Sequence, residues 1–466
     1  MVHLAARSGR LVSPAVSGVP MILEKSIARI SRIGYLLPSL AVTALFPCVS
    51  MADTTAPAPA TPFWKNIPLD DGARLSFDGS LRERYEWSDH RDLNGGRDSA
   101  FMERFLLGAR LDASPWFSSY VQLGSSLAST RPGGSEPTDK NNAYMAQAYA
   151  DLKWPAADYG SGQLRTGRQE IPLGSLHLLG TRDGPNVRRA FDAVRGSWSW
   201  QDNKLDVFGG YPIEIEQSSF LDHTLHSQKI WGIYGTTHNK ALSSGIDLYY
   251  LGFENDDATY VEGSGRERRY TIGARIFGNQ SGFDWDNEAA WQYGHFNQDD
   301  INAWSTSVHA GYTFASVAWS PRIGIKTGIA SGDKHPGDGK LNTFNAMYPK
   351  LPYLTENGIV APANLIDVSP SLQVTPREGL LLDLSWHTMW RQQKNDAFWI
   401  APGRPVNNTT GDDRYIGQQA QIEATWTPVS DLQFDVAWAY FEVSHNLQAA
   451  GLRNMNFVMT SATFFF

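Results

Sequence analysis

Arginines are concentrated in the stretch from Gln163 to Arg195, where several stand beside a glycine or a carboxylate. Arginine stays positively charged, and its planar fork of donors matches the two oxygens of a carboxylate. In an acidic protein, such a concentration indicates a site that must remain positive while it handles anions. The alternative is an ordinary solvated loop between two strands. The stretch contributes Arg165, Arg168, Arg182, Arg188, Arg189 and Arg195.

Other residues that could carry chemistry do not form a recognisable site. The histidines are scattered, and a hydrolase would need a nucleophile, a base and an orienting group within reach of one another. Ser385 and His387 share one face of a predicted strand, but polar residues are expected on that face in any case. Paired acids in the polar stretches lack the regular ligand spacing of a Ca²⁺ loop. We therefore expect no catalytic residues, no metal, no cofactor and no enzyme activity.

The N-terminal region is predicted to be a secretory signal peptide at residues 1–52, with Met21 as the true start. Basic residues precede an apolar run that ends in the small residues around Ala52. The sequence contains one cysteine, Cys48, so the exported chain would have neither disulfides nor thiolate metal sites. Residues 53–72, rich in Pro and Ala at their start, are predicted to be a periplasmic lead-in. The domain that remains is residues 73–466.

Apolar and polar residues alternate through most of residues 73–466. Tyr270, Ile272 and Ala274, for example, alternate with Thr271 and Gly273. Strict alternation indicates strands with one apolar and one polar face, and these strands approach the ~9–11 residues that cross a bilayer at a tilt. Aromatic residues near the strand ends fit interfacial girdles. The fold class is therefore predicted to be all-β: a closed, transmembrane, antiparallel β-barrel in the outer membrane.

We count eighteen candidate strands, an even number, as required if both termini lie in the periplasm. The connections alternate between short periplasmic turns and longer, polar extracellular loops. The last residue, Phe466, ends the last strand and is predicted to be an assembly signal. Residues 331–363 are too rich in Gly, Pro and Asp for regular structure. We expect them to fold partly into the barrel mouth as a gate, the alternative being a surface-exposed loop.

Alternation also predicts which charged residues face the lumen. If Leu, Ile and Val face lipid, the polar side of each strand lines a channel, where basic side chains select anions. With the arginine-rich stretch, the predicted pore-lining set is Arg82, Arg84, Arg104, Arg110, Arg165, Arg168, Arg182, Arg188, Arg189, Arg195, Arg269, Arg275, Arg322, Lys326 and Arg391. The predicted lumenal acidic partners, expected to hold the guanidinium groups, are Asp78, Glu288, Asp383, Glu423 and Asp435. Asp192 breaks the pattern, because its parity is outward.

The net charge of the mature chain indicates that most of its acidic residues lie outside the lumen. Residues 1–52 hold five of the 40 Lys and Arg and one of the 48 Asp and Glu, so residues 53–466 carry a net charge of −12. A negative protein with a positive lumen must carry most of its acids in loops. Acidic stretches such as 255–257 and 297–300 agree with that expectation.

Four segments resemble the signatures of the alginate export family of outer-membrane proteins. They are Gly167–Glu170 with Gly180–Asp183 and Asn186–Asp192, then Ser331–Phe344, Asn364–Asp367 and Trp390–Gln392. The resemblance covers nearly the whole mature chain. It implies an eighteen-stranded barrel whose arginine-rich lumen passes an anionic polysaccharide.

The sequence therefore predicts an outer-membrane channel for anionic solutes, foremost a carboxylated polysaccharide such as alginate, by diffusion through an arginine-lined lumen. The alternatives are a general porin for small organic anions and, with least support, an outer-membrane hydrolase. Expected partners are outer-membrane lipid, the transported anion, the barrel assembly machinery and periplasmic secretion proteins, with no nucleic acid.

Overall fold

The computed structural model describes residues 62–466 except 130, 133, 157 and 158. The predicted signal peptide at 1–52 and residues 53–61 of the lead-in lie outside the described residues. Farther along the lead-in, Ile67–Pro68 pairs with the beginning of the first long strand. No helix in the described part of the chain is long and apolar enough to span a membrane.

Eighteen long strands in the described residues form one antiparallel sheet in which each strand pairs with the next. They are β1 Arg74–Ser88, β2 Asp98–Ser114, β3 Phe117–Ala128, β4 Asn141–Ala156, β5 Gly160–Gln169, β6 Phe191–Trp200, β7 Asn203–Glu214, β8 Gln228–Asn239, β9 Ser244–Tyr260, β10 Gly263–Gln280, β11 Phe283–Phe296, β12 Asp299–Thr313, β13 Arg322–Ala330, β14 Leu365–Arg377, β15 Leu380–Arg391, β16 Tyr415–Val429, β17 Leu432–Val443 and β18 Met455–Phe465. β18 pairs with β1, which closes the barrel. The predicted fold is therefore confirmed.

The alternation along each strand separates an outer surface from a lumen. In β1, Leu81 and Tyr85 are exposed, whereas Arg82 and Arg84 between them are buried. Successive side chains of a strand point to opposite faces. The exposed apolar set therefore forms the outer surface, and the covered polar set faces inward.

The two ends of the barrel differ in the length of their connections. At the end where β1 begins and β18 ends, which we call the turn end, connections are as short as residues 201–202 and 378–379. At the opposite loop end they run through residues 170–190, 331–364 and 392–414. Two loop-end connections, 261–262 and 297–298, are also only two residues long. Long loops at this end are therefore the rule, with two exceptions.

Two of the long loops fold back into the lumen. Ile171, Leu178 and Leu179 of the β5–β6 loop and Phe344 and Tyr348 of the β13–β14 loop pack with inward side chains of β6 to β13 in one hydrophobic core. A second core joins Ile359 and Val360 to inward residues of β14 to β18. Residues 331–363 thus enter the barrel as expected, while their role as a gate remains a prediction.

The C-terminal residue seals the junction between β18 and β1. The backbone amide of Phe466 donates to the carbonyl of Gly79 and its carbonyl accepts from the Gly79 amide, both at 3.1 Å. The ring of Phe466 lies over Gly79, where a Cβ atom would come within 2.3 Å of the ring. It also stacks with Phe105 at 6.4 Å and with Phe464 at 6.2 Å between centroids. Gly79 therefore provides the space that the terminal ring occupies.

Deleting Phe466 should lower the yield of assembled barrel, because it removes two backbone hydrogen bonds, each worth about 1 kcal/mol, and the ring packing at the seam. Conductance per assembled pore should not change, because the residue lies at the rim of the turn end. Heat-dependent migration on a gel measures assembly, and Phe283→Ala, an exposed aromatic far from the seam, is the control. Normal assembly of the deletion would contradict a sealing role.

Candidate site: a basic constriction inside the barrel

The tip of the β5–β6 loop is held inside the barrel by arginines of β1 and β2. Arg82 donates to the backbone carbonyls of Asp183, Gly184 and Pro185 at 2.8, 3.3 and 3.2 Å. Arg104 donates to the carbonyl of Asp183 at 3.2 Å and to its carboxylate at 2.9 Å. Backbone carbonyls in an irregular loop have no ladder partners, so the guanidinium groups satisfy them. Both predicted pore-lining residues therefore face inward, but they anchor a loop.

Asp183 is the internal counter-ion of this arginine cluster. Its Oδ1 lies 2.9 Å from Arg104 Nη2 and 3.3 Å from Arg188 Nε. Partial desolvation of the carboxylate inside the barrel opposes its charge, but Arg104, Arg188 and Arg82 hold the pKa of Asp183 well below its usual range. Because 59% of the side chain is still exposed, the charge remains in contact with lumenal water.

Asn186 is a second anchor of the same loop. Its side-chain amide donates to the backbone carbonyls of Glu103, Leu127 and Asp139, each at 3.0 Å, and the residue is fully buried. Asn186 belongs to the arginine-rich motif, but nothing in the motif itself assigns the residue a separate role. Only the folded loop shows that one amide joins three segments of backbone.

The two inserted loops are bonded to each other. The amide of Gly180 donates to the carbonyl of Tyr348 at 2.8 Å, and the amide of Gly184 donates to that of Leu351 at 3.0 Å. A Cβ on Gly180 would lie 2.8 Å from the amide nitrogen of Lys350, and one on Gly184 would lie 2.4 Å from the carbonyl of Leu351. These glycines are therefore needed for the close approach of the two backbones. The paired loops form one constriction.

Two basic groups of the β5–β6 loop have no carboxylate within 4.0 Å among the described residues: Arg182 and Arg189. Arg182 donates to the carbonyl of Val187, and Arg189 donates to that of Pro349 and lies over the ring of Tyr348 at 5.0 Å. Burial lowers the pKa of Arg182 to about 9 and that of Arg189 to about 10. Both guanidinium groups are thus charged at neutral pH and are not neutralised locally.

Nearer the turn end, the predicted arginines are paired with acids on the lumenal wall. The pairs are Arg110 with Asp112 and Asp151, Arg165 with Asp151, Arg195 with Asp206, Arg275 with Asp247 and Asp286, and Arg322 with Asp284. Their side chains remain partly exposed, from 13% for Arg195 to 29% for Arg110. Apart from Arg110 with Asp112, which lie on the same strand, each pair joins strands one or two positions apart. These arginines therefore brace the wall as well as lining it.

Three inward arginines are covered by the loops. Arg269 is fully buried, paired with Glu267, and donates to Gln292 at 2.8 Å. Arg391, 2% exposed, donates to four loop carbonyls, those of Lys394, Asp396, Gly411 and Asp413. Arg84 is paired with Glu86 and lies 4.0 Å from Glu356. The prediction that these three, like Arg82 and Arg104, line an open path needs correction, because the loops at the loop end bury all five.

Arg168 also needs correction. Its neighbours in register, Gly167 with Ala193 and Gln169 with Phe191, are inward pairs, so Arg168 and its partner Asp192 have the outward parity. Their side chains form an ion pair at 3.0 Å, to which the hydroxyl of Thr224 also donates. The outward position predicted for Asp192 is thereby explained. Arg168 was grouped with the others by its motif alone, and it does not line the lumen.

Among the described residues, none of the five predicted acidic partners has an arginine nitrogen within 4.0 Å of its carboxylate. Asp78 accepts from Tyr120, Asp383 from Gln373, Glu423 from Gln421, and Asp435 from Thr425, Gln433 and Ser461. Glu288 accepts from Ser175, His177 and Tyr249 and so ties the β5–β6 loop to the wall. The prediction was wrong because a shared face does not specify register. The wall arginines pair instead with other acids, most of which lie one or two strands away.

The strand pair β14–β15 places a histidine between a serine and an aspartate. His387 lies 3.3 Å from the hydroxyl of Ser369 and 3.0 Å from the carboxylate of Asp367, while Ser385 is not part of the set. Ser369 is fully buried and the other two nearly so. A nucleophile must reach its substrate, and a serine with no exposed surface does not. The arrangement is therefore a hydrogen-bonded brace.

Below the paired loops lies a cavity of about 200 Å³. Its lining includes the predicted residue Lys326 and a residue that the sequence analysis missed, Lys350 of the β13–β14 loop. Lys350 lies in a segment without periodicity, so no sequence pattern indicates that it faces the lumen. Its position is determined by the bond from its amide to the carbonyl of Leu176 at 2.9 Å.

Comparison with known proteins identifies a family and related folds. The sequence model of the family described as alginate export matches residues 73–461. A search of curated proteins gives no match. Among solved structures, Pseudomonas aeruginosa OccD3 (OpdP) is 12% identical, with a TM-score of 0.57 over 86% of this chain and 92% of that one.

Two further Pseudomonas aeruginosa structures share the fold. OccK11 (OpdR) is 13% identical, with a TM-score of 0.54 over 87% of this chain and 98% of that one. OccK2 (OpdF) in complex with glucuronate is 13% identical, with a TM-score of 0.55 over 84% and 98%. At these identities the likeness concerns the fold alone.

Substituting Gly184→Ala should loosen the paired loops, because the new methyl group would collide with the Leu351 carbonyl at a cost of about 1–3 kcal/mol. We expect faster cleavage of the β5–β6 loop by trypsin and a larger, noisier single-channel current. The control is Gly328→Ala on the lumenal face of β13, where a Cβ meets nothing within 4 Å. Equal cleavage and current in the two variants would show that the glycine is not needed for the close approach.

Proposed function

The chain belongs to the alginate export family and forms a channel of the bacterial outer membrane, and from this premise we propose that it passes carboxylated saccharides. It is a channel and not an enzyme. The solute would diffuse past the basic constriction formed by the inserted loops.

One observation carries this proposal: the β5–β6 side of the constriction has more basic than acidic groups. The β5–β6 loop and its two anchors contribute Arg82, Arg104, Arg182, Arg188 and Arg189, against only Glu170 and Asp183. The wall pairs nearer the turn end are close to neutral, so the excess charge is concentrated at the narrowed level. A positive field in a confined space raises the local concentration of anions. Weak contacts with several guanidinium groups would let a saccharide move on.

The class of solute follows from two further considerations. The description of the family is alginate export, and a structural neighbour was solved in complex with glucuronate. Both names concern sugars that carry carboxylates, the anion that suits a guanidinium fork. A carboxylated polysaccharide is therefore our first candidate.

A second candidate, small organic anions, is favoured by the packing of the loops. Two hydrophobic cores occupy much of the lumen at the loop end, which narrows the space for a polymer. Oligouronates of increasing length distinguish the candidates. Current block that strengthens with length supports threading of a polymer, whereas block that is greatest for a monomer or dimer supports the small-anion channel.

The double variant Arg182→Gln/Arg189→Gln should be less anion-selective than the wild type. A unit charge acting over about 4 Å in water is worth about 1 kcal/mol, which corresponds to an approximately fivefold fall in the anion-to-cation permeability ratio. Reversal potentials in a salt gradient measure this ratio, and the effect should shrink at 1 M salt, where the screening length is about 3 Å.

The matched control for charge is Arg268→Gln, an exposed, outward arginine of β10 paired with Glu254. It should leave selectivity unchanged. If the double variant assembles normally and keeps the wild-type permeability ratio, the arginines only hold the loops in place and the proposed selectivity is wrong.

A further inference from the structure

The cavity below the paired loops contains two ammonium groups without acidic partners. Lys326 faces inward from β13, and Lys350 projects from the β13–β14 loop, so a fixed wall and an inserted loop each supply one. Within the described residues, no carboxylate lies within 4.0 Å of either nitrogen. Almost all the other inward cations described above are bonded to carboxylates or carbonyls. These two lysines are therefore available to a ligand.

Burial is the main factor that opposes the charge of Lys350 in the absence of a ligand. Burial, reinforced by repulsion from Lys326, lowers the pKa of Lys350. An anion between the two ammonium groups would relieve that repulsion. The position of Lys350 is also fixed, because its amide is bonded to the β5–β6 loop.

The same cavity has carboxylates that could accept hydrogen bonds from hydroxyl groups. Glu356, on the inserted loop, has Arg84 as its nearest basic group, at 4.0 Å, and Glu423 of β16 accepts from Gln421. A carboxylate oxygen can accept several hydrogen bonds, so both groups keep free acceptor capacity. Tyr353 adds an aromatic ring to the lining. The cavity thus combines two cations with separate hydroxyl acceptors.

We propose that this cavity is a binding site for one sugar acid, with Lys326 and Lys350 holding its carboxylate and Glu356 and Glu423 accepting from its hydroxyls. The inference rests on the proposed function and assigns a specific recognition point to it. A volume of about 200 Å³ is below the ~300–1,000 Å³ of pockets for drug-sized molecules, which suits a single sugar ring. A simple carboxylate would use the lysines alone, and a neutral sugar would use the acids alone.

The test is current block of the reconstituted channel by glucuronate, with acetate and glucose as partial probes. We expect glucuronate to block the wild type more strongly than either probe does. Lys326→Gln and Lys350→Gln, made separately, should each weaken the block by about tenfold, the loss typical of one hydrogen bond to a charged group. Glu423→Gln should narrow the preference for glucuronate over acetate, because it removes an acceptor for the sugar hydroxyls.

Lys340→Gln is the matched control, since Lys340 is an exposed lysine of the same loop. Lys350→Arg should retain block better than Lys350→Gln, which separates loss of charge from a change in loop structure. If Lys326→Gln and Lys350→Gln both assemble, remain anion-selective and are blocked like the wild type, the proposed binding site is wrong. The proposed channel function would then still stand. A wild-type channel without anion preference would overturn the proposed function and the site with it.

Discussion

Closure of the sheet on itself is the constraint from which the rest of the structure follows. Hydrocarbon offers no partner to a backbone amide or carbonyl, so a sheet that crosses a bilayer cannot keep a free edge. The pairing of β18 with β1 and the two backbone hydrogen bonds between Phe466 and Gly79 satisfy this condition. Once the barrel is closed, every second side chain must face the lumen. The lumen therefore acquires a dense set of polar groups.

The charged residues of that set have two different roles. Near the turn end, arginines and aspartates on adjacent strands neutralise one another and brace the wall, as Arg165 and Asp151 do at 2.8 Å. Near the loop end, arginines bond to the carbonyls of loops that lack ladder partners, as Arg82 and Arg391 do. An arginine in the lumen is thus not in itself evidence of a solute path. The excess of basic groups over acids at the constriction supports one.

The inserted loops couple this electrostatic arrangement to close packing. Gly180 and Gly184 let two backbones approach, and the approach places Lys350 in the cavity that Lys326 also lines. His177, bonded to Glu288 at 2.9 Å, ties the same loop to the wall of β11. Loop packing and charge placement therefore depend on each other. A substitution that loosens the loop packing should therefore also shift the positions of the charged groups.

The sequence by itself determined the barrel, because a side-chain period of two is a local property that strand geometry converts directly into inside and outside. It also identified the family through the motif around Gly180–Asp183. The sequence did not determine which charged side chains form ion pairs. Residues on one face, such as Asp383 and Arg391, can lie at different heights, and cross-strand register decides the partners. The periodicity of the sequence does not predict that Arg168 faces outward or that Lys350 lies inside the barrel. The tertiary structure alone decided how the β5–β6 loop entered the lumen, because its anchors Arg82 and Arg104 lie 102 and 79 residues along the chain from the loop carbonyls of Gly184 and Asp183 that they bind.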